Sequence, residues 1–289
     1  MSGRGLDGLL ARASVEVSSR SPHLSDLMQC FARGTEVAIT DLPGDELRRN
    51  IGVTASLSLA GYSPVPHVSA REVVSREALA DFLTRARGEA GVSRILVIAG
   101  DVARTKGPFD STLKLLESGL VENAGISRVS VAGHPEGHPQ VDDAVAFHAL
   151  LAKQAWAART GVDIDIVTQF CFEAPPLLGW LAALKRHGVT LPVHIGLAGP
   201  ASPATLLKFA LRCGVGNSLR ALRSQIGRFG RLLSDADPGE VVRGLCAAPA
   251  DATAQVAGFH LFPFGGLRKS GLWLAEQTAK ALTQSELAG

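Results

Sequence analysis

The stretch Val129-Ser-Val-Ala-Gly-His-Pro-Glu-Gly-His138 decides the fold, because it changes at its centre from strand-forming residues to titratable ones. The first half alternates small and β-branched residues as a buried strand does, and the second half carries imidazoles and a carboxylate. The stretch Asp165-Ile-Val-Thr-Gln-Phe170 repeats the change and runs into an amide side chain. Parallel barrel strands present reactive groups at their carboxyl ends in this way. The two stretches therefore predict an enzyme built on parallel strands.

Similar short apolar runs recur along the chain and alternate with amphipathic segments that begin at capping residues such as Ser75 and Asp142. The eight predicted strands are Ser14–Ser18, Glu36–Thr40, Val65–Ser69, Arg94–Asp101, Arg128–Gly133, Asp163–Phe170, Pro192–Leu197 and Gly258–Phe262. This alternation predicts an α/β protein, a single (β/α)8 TIM barrel over residues 1–289. Residues 214–255 interrupt the rhythm and are predicted to form extra helices before the last strand. A doubly wound sheet is the alternative architecture.

The composition favours a small-molecule substrate. The chain has 289 residues, 46% of them hydrophobic, and its 29 basic and 27 acidic residues leave a net charge of +2. Such a balance gives no field that attracts nucleic acid or a membrane surface. Four cysteines without a C-x-x-C pair, and no apolar leader segment, indicate a cytoplasmic protein with reduced thiols. The sequence leaves open whether copies of the chain form a homo-oligomer.

The polar residues that end the predicted strands should gather at one mouth of the barrel. They are Glu16, Thr40, His67, Asp101, His134, Gln169 and His260. Apolar neighbours around Glu16 predict burial, which raises a carboxyl pKa and suits it to donate a proton near neutral pH. The plainer interpretation is a solvated strand glutamate. Asp101 follows Gly100 and could oppose a developing cation, or simply cap the next helix.

Three further features have competing interpretations. His134, Glu136 and His138 form an H-x-E-x-H pattern, but the neighbouring prolines favour a rigid pocket loop and we predict no metal. Gln169 can both donate and accept hydrogen bonds, which suits the edge of a cyclic amide. Phe209 can stack on a planar ring or pack in the core.

In order and spacing, these motifs resemble those of the 5,10-methylenetetrahydrofolate reductases. The resemblance runs from about Val15 to about Phe264. It is carried by Val129–Pro139, Val167–Phe170, Pro66–Ser69, the pair Gly100-Asp101 and Gly258–His260. It implies a (β/α)8 barrel that holds FAD, takes a hydride from NADH or NADPH, and passes it to methylenetetrahydrofolate to give 5-methyltetrahydrofolate.

The resemblance also implies roles for single residues. Glu16 matches the glutamate that protonates the folate as its five-membered ring opens, and Asp101 matches an aspartate beside the flavin and the pterin. Gln169 matches the pterin-binding glutamine, and Phe209 a phenylalanine that stacks on nicotinamide or folate. The remaining matches are candidate flavin contacts. These are Thr40, His67, His134 and His138, together with Asp101.

The chain departs from the family pattern at positions where the family has positively charged residues. Ala99 replaces an arginine near the flavin, and an alanine stands in 151–155 where a lysine meets the phosphates. Arg104, Lys106 or Lys153 could supply the charge instead. Alternatively, the site binds folate and nicotinamide directly without a flavin, or the chain is a non-catalytic folate-binding relative. Near the end, Phe262–Gly266 replaces a polar stretch that ends in a folate-contacting arginine, for which Arg268 is the candidate.

Overall fold

The computed structural model describes residues 6–20, 23–40, 47–213 and 237–287. Its strands are β1 (Ser14–Ser18), β2 (Glu36–Thr40), β3 (Ser63–Ser69), β4 (Arg94–Ile98), β5 (Arg128–Gly133), β6 (Asp163–Thr168), β7 (Val193–Ala198) and β8 (Val256–Phe262). All neighbours pair in parallel, and β1 pairs with both β2 and β8, which closes the barrel. The predicted (β/α)8 barrel is confirmed, and the doubly wound alternative is wrong.

Helices follow the strands and cover the outside of the barrel. In the described residues they are α1 (Leu6–Leu10), α2 (Leu24–Cys30), α3 (Leu47–Leu59), α4 (Arg76–Ala90), α5 (Thr112–Leu116), α6 (Leu120–Asn123), α7 (Asp143–Thr160), α8 (Ala174–Arg186), α9 (Pro203–Cys213), α10 (Gly239–Cys246) and α11 (Leu267–Leu287), with a 3-10 turn at Ala70–Glu72. Helix α10 is a predicted extra helix before β8. The rest of that prediction, residues 214–236, lies outside the described residues. No described helix is long and apolar enough to cross a membrane.

Local sequence signals explain most of the element boundaries. The Ser75 side chain accepts a hydrogen bond from the Ala78 amide and caps α4, as the sequence predicts. Asp142 holds the capping position of α7 but makes no side-chain capping bond. The predicted strand Arg94–Asp101 is too long. It ends at Ile98, because Gly100 adopts a φ of 88° that turns the chain and places Asp101 in the following loop.

The strands send alternate side chains to two different environments. Val15 and Val17 pack outward against the helices in the large apolar core, whereas Glu16 between them points into the barrel. The apolar part of the barrel interior is a small separate cluster of Val65, Leu96 and Val167. Around Val65 and Val167, polar residues stand two positions away on either side, whereas Leu96 has Arg94 on one side and the apolar Ile98 on the other. The barrel interior is therefore divided into two polar layers with an apolar layer between them.

A buried ion network occupies the amino end of the barrel. Arg94 opens β4, is 6% exposed, and donates to Ser130 Oγ at 2.9 Å and to Asp165 Oδ1 at 2.9 Å. Its third contact is an ion pair with Glu36 of β2. His194 Nε2 lies 3.8 Å from the second oxygen of Asp165. One guanidinium therefore links β4 to β2 and β6 through two carboxylates, of which Asp165 is buried and Glu36 is partly exposed.

We expect Arg94→Met to lower the free energy of unfolding by about 3–5 kcal/mol, because it leaves the buried carboxylate of Asp165 without the guanidinium that pairs with it. Chemical denaturation at pH 7 measures the change. The matched control is Arg85→Met, whose ion pair with Glu89 lies on the surface of α4 and should contribute less than about 1 kcal/mol. Equal losses in the two variants would show that the Arg94 network contributes no special stability.

Candidate functional site

The candidate site lies at the carboxyl end of the strands and is centred on Glu16. Its Oε2 atom lies 3.7 Å from His260 Nε2 of β8 and 3.9 Å from His67 Nε2 of β3. His67 is 6% exposed and His260 is 2% exposed. Both Nε2 atoms are buried and lack a hydrogen-bond partner. One carboxylate therefore faces two imidazoles inside the barrel.

The charge state of Glu16 differs from the sequence-based expectation. Burial acts to raise its pKa, but His260, His67 and the Thr40 hydroxyl together outweigh burial, and the net result is a lowered pKa. The pKa of His67 is lowered to about 4, first by burial, although Glu16 acts to raise it. In the free protein Glu16 is therefore ionised at neutral pH and His67 is neutral. The prediction that the pKa of Glu16 is raised is wrong, because it considered burial and not the two imidazoles.

His260 is held by a second contact. Its Nδ1 atom lies 2.8 Å from Ser14 Oγ, and the same hydroxyl is 3.4 Å from the carbonyl of Phe259. Ser14 precedes Glu16 by two positions in β1, so both side chains point into the barrel. No sequence motif marks Ser14 as a site residue. Its strand position was the available signal, since residues two apart on a strand share a face.

Asp101, Gln169 and Arg268 have no contact with Glu16 among its ion pairs. Asp101 is exposed in the loop after β4, and Arg268 is exposed in the first turn of α11. Gln169 follows β6, where its backbone N–H donates to the Gly133 carbonyl and its Oε1 accepts from the Phe170 amide. Because all the strands are parallel, these residues lie at the same end of the barrel as Thr40.

Two histidines of the loop after β5 lie close together. The rings of His134 and His138 meet edge to face with centroids 4.8 Å apart. The pKa of His134 is lowered to about 4 by burial, then by His138 and by the nearby Lys153. Among the described residues, no group of three or more histidine, cysteine or acidic side chains is arranged to hold a metal ion.

Lys153 of α7 is a buried cation. It is 8% exposed, and burial lowers its pKa to about 8. Within the described ranges it forms no ion pair, whereas Lys106 is bound to Glu72 at 2.9 Å. A buried ammonium without a carboxylate partner is unfavourable unless an anion neutralises it. Of the candidate replacement charges, Lys153 therefore fits the phosphate of a nucleotide cofactor best.

Phe209 belongs to an aromatic cluster beside β8. Its ring stacks on Phe264 with centroids 4.2 Å apart and an interplanar angle of 18°, and Phe170 contacts Phe264 edge to face at 4.8 Å. The cluster also includes Phe172 and Phe262. One face of the Phe209 ring is therefore covered by the ring of Phe264. Its role in stacking on a ligand stays a prediction.

The fold and the site together define a class: a parallel eight-stranded barrel with titratable groups at the carboxyl ends of its strands, as in barrel enzymes. Residues 25–216 match the model of the methylenetetrahydrofolate reductase family, so the chain belongs to that family. At the family level it is a folate-related oxidoreductase. Glu16, His260 and Arg268 lie outside the matched residues.

Two solved structures show weaker similarity. A dihydropteroate synthase from Burkholderia cenocepacia is 17% identical, with 95% of this chain and 93% of that chain covered and a TM-score of 0.48. A GDP-L-fucose synthetase from Naegleria fowleri is 8% identical, with 86% and 96% covered and a TM-score of 0.24. We infer nothing about this chain from either.

We expect Lys153→Met to raise the free energy of unfolding at pH 7 by about 2–3 kcal/mol, because it removes the cost of burying a charge. The unfolded lysine holds its proton up to about pH 10.5. Wild-type stability should therefore rise between pH 8 and pH 10.5, and the variant should lack this rise. Chemical denaturation across that pH range is the measurement.

The control for this variant is Lys114→Met, which changes an exposed lysine paired with Asp110 and should alter stability by less than about 0.5 kcal/mol. A Lys153→Met protein no more stable than wild type at pH 7 would mean that the ammonium is already neutralised.

Proposed function

We propose that this protein interconverts 5,10-methylenetetrahydrofolate and 5-methyltetrahydrofolate, with NADH or NADPH as the hydride source and FAD as the carrier. The observation that carries the proposal is the Glu16 carboxylate facing two buried imidazoles at the strand ends. Opening the five-membered ring of methylenetetrahydrofolate requires a proton on its leaving nitrogen. A buried acid–base centre beside the substrate meets that need, and family membership supports the folate.

The residues of the chain have distinct tasks in this proposal. Glu16, which is ionised in the free protein, takes up a proton from solvent and gives it to the leaving nitrogen. Asp101 provides a fixed negative charge beside the cationic iminium that results. Gln169 reads the pterin edge through its amide. Phe209 offers an aromatic face to a planar ring, and Arg268 is the cation available to the glutamate tail of the folate.

FAD, when bound, would supply the site with a two-electron carrier between nicotinamide and folate. Lys153 is the residue best suited to its phosphates, because its buried ammonium has no ion-pair partner in the described part of the chain. Thr40, His67, His134 and His138 are the other proposed flavin contacts. His67 and Thr40 also act on Glu16, so this proposal places the flavin beside the acid.

A second candidate function is direct hydride transfer from NAD(P)H to the folate without a flavin. Two observations favour it. Ala99 stands where the family pattern has an arginine, and Lys106, which could have replaced that charge, is bound to Glu72 at 2.9 Å. Under this alternative Lys153 serves the phosphates of the nicotinamide cofactor.

Glu16→Gln tests the proposed chemistry. We expect the variant to lose at least about 100-fold in kcat for NAD(P)H-dependent reduction of methylenetetrahydrofolate, because an amide cannot donate the proton. Its Kd for the folate should stay within about threefold of wild type. The control is Glu89→Gln on the surface of α4. Wild-type protein that binds the folate but never reduces it would support a non-catalytic relative instead.

An absorbance spectrum separates the two cofactor hypotheses. We expect the purified protein to be yellow, to release FAD in equimolar amount on denaturation, and to lose the flavin band on addition of NADH or NADPH. Lys153→Met should retain less flavin than the Lys114→Met control, because it lacks the proposed phosphate contact. Colourless protein that still reduces the folate would decide for direct transfer.

A further inference from the structure

The loops after β7 and β8 pack against each other through their backbones. A Cβ built on Gly265 would lie 2.0 Å from the Pro200 carbonyl oxygen, and one built on Gly199 would lie 3.0 Å from the Phe262 carbonyl oxygen. The Gly199 amide donates to that Phe262 carbonyl at 2.9 Å. Glycine is required at both positions, because a side chain would push the two loops apart. The loop after β8 leads directly into the first turn of α11 at the carboxyl end of the barrel.

The first turn of α11 has amides without acceptors. Gly266 turns the chain with a φ of 99°, and its carbonyl accepts a hydrogen bond from the Ser270 amide at 3.2 Å. The amides of Leu267 and Arg268 come before that bond and have no acceptor in the part of the chain that the structure describes. Gly266 has no side chain to cap them, and a Cβ built on it would meet nothing within 4 Å. The space beside Gly266 is therefore open at the positive end of the helix dipole.

Ser270, in the same turn, has a buried hydroxyl without a hydrogen-bond partner. The residue is 0% exposed, and its Oγ atom lies 2.4 Å from the position that a Cβ on Gly199 would take. The Phe262 carbonyl beside Gly199 already accepts from the amides of Gly199 and Phe264. A buried hydroxyl without a partner is unfavourable, and such a group is typical of a site where a ligand supplies the partner.

The charges around this turn favour an anion. Neither α9, which begins after β7, nor α11 has an acidic residue in its first turn, whereas α11 begins with Leu267-Arg-Lys269. Two amides and a hydroxyl suit a ligand group that only accepts hydrogen bonds. A phosphate presents three acceptor oxygens that are not in one line, whereas a carboxylate presents two. Phosphate sites of barrel enzymes are frequently built from the loops after the seventh and eighth strands and a helix N-terminus.

The position of this turn separates it from Lys153. Lys153 belongs to the helix after β5 and Ser270 to the helix after β8, with β6 and β7 between them in the closed barrel. Neighbouring strands are about 4.8 Å apart, so three strand spacings lie between the two places. The adjacent phosphates of one diphosphate cannot reach both. Two phosphate-bearing ligands, or two distant phosphates of one ligand, would use them.

We propose that the first turn of α11, with Ser270 and the loops after β7 and β8, binds a phosphate group of the nicotinamide cosubstrate. The amides of Leu267 and Arg268 and the Ser270 hydroxyl donate to the phosphate oxygens. The identity of the ligand rests on the proposed function, whereas the affinity of this turn for phosphate does not. The flavin, when bound, keeps its proposed contacts on β2, β3 and the segments after β5.

Titration with inorganic phosphate tests the site without turnover. Amide NMR at constant ionic strength, set with chloride, should show saturable shifts of Leu267 and Arg268 in wild type. Ser270→Ala should bind phosphate about 10-fold more weakly at these amides, because it lacks a hydrogen bond to a charged group. The matched control is Ser56→Ala, which removes an exposed hydroxyl bonded within α3 and should leave the affinity unchanged. Reading the shifts at these two amides separates this site from Lys153.

Three outcomes of the titration would overturn the proposal. The first is wild-type protein in which phosphate causes no saturable shift at Leu267 and Arg268. The second is equal phosphate affinity in wild type and in folded Ser270→Ala. The third is a shift that appears with the folate but not with phosphate, which would make the turn a carboxylate site.

Kinetics identify the ligand that carries the phosphate. Ser270→Ala should raise KM for the nicotinamide cosubstrate about 10-fold, keep kcat within about twofold of wild type, and retain the wild-type flavin content. A rise for NADPH alone assigns the turn to the 2′-phosphate, and a rise for both NADPH and NADH assigns it to the diphosphate. Unchanged KM values for both contradict the assignment to this cosubstrate. If phosphate binds as expected but wild type reduces no folate, the proposed function fails while the phosphate site stands.

Discussion

The structure depends on the contacts that stabilise the Glu16 carboxylate inside the barrel. Glu16 alternates with Val15 and Val17, so the strand pattern that builds the outer core also points the acid inward. An isolated carboxylate buried there would be protonated or would destabilise the fold. The imidazoles of His67 and His260 change this balance and leave Glu16 ionised despite burial. The same contacts that stabilise the charge place the acid next to two buried imidazole nitrogens. The contacts that stabilise the Glu16 carboxylate inside the fold are therefore the same contacts that determine its acid–base state.

The amino end of the barrel solves a similar problem in a different way. Arg94 pairs directly with two carboxylates, and its donors are used by Glu36, Ser130 and Asp165. The apolar cluster of Val65, Leu96 and Val167 lies between the two polar layers. The charged groups of the Arg94 network, at the amino end of the barrel, have hydrogen-bond or ion-pair partners, which suits a structural role. At the carboxyl end, the Nε2 atoms of His67 and His260 are buried without a hydrogen-bond partner. Buried polar atoms without partners are typical of groups that bind ligands or exchange protons.

The sequence predicts the barrel well because each strand is a local signal. The bounds of β1, β2 and β5 agree with the predicted runs, and Ser75 caps α4 as predicted. The prediction for β4 was wrong at its end, where the positive φ of Gly100 stops the strand. The direction of the pKa shift of Glu16 could not be predicted, because His67 and His260 are distant in sequence and their approach is set by barrel closure. The partners of Arg94 were missed for the same reason. The roles of Asp101, Gln169 and Arg268 stay predictions.

The central claim is that the two imidazoles, acting against burial, set the charge of Glu16. The most direct measurement is a carbon-13 NMR titration of the Glu16 side-chain carboxyl in wild type, His67→Gln and His260→Gln. We expect Glu16 to be ionised at neutral pH in wild type, with its pKa below the ordinary value of 4.5, and to have a raised pKa in each variant. A Glu16 that is protonated at neutral pH in wild type, or whose pKa is the same in all three proteins, would contradict the account.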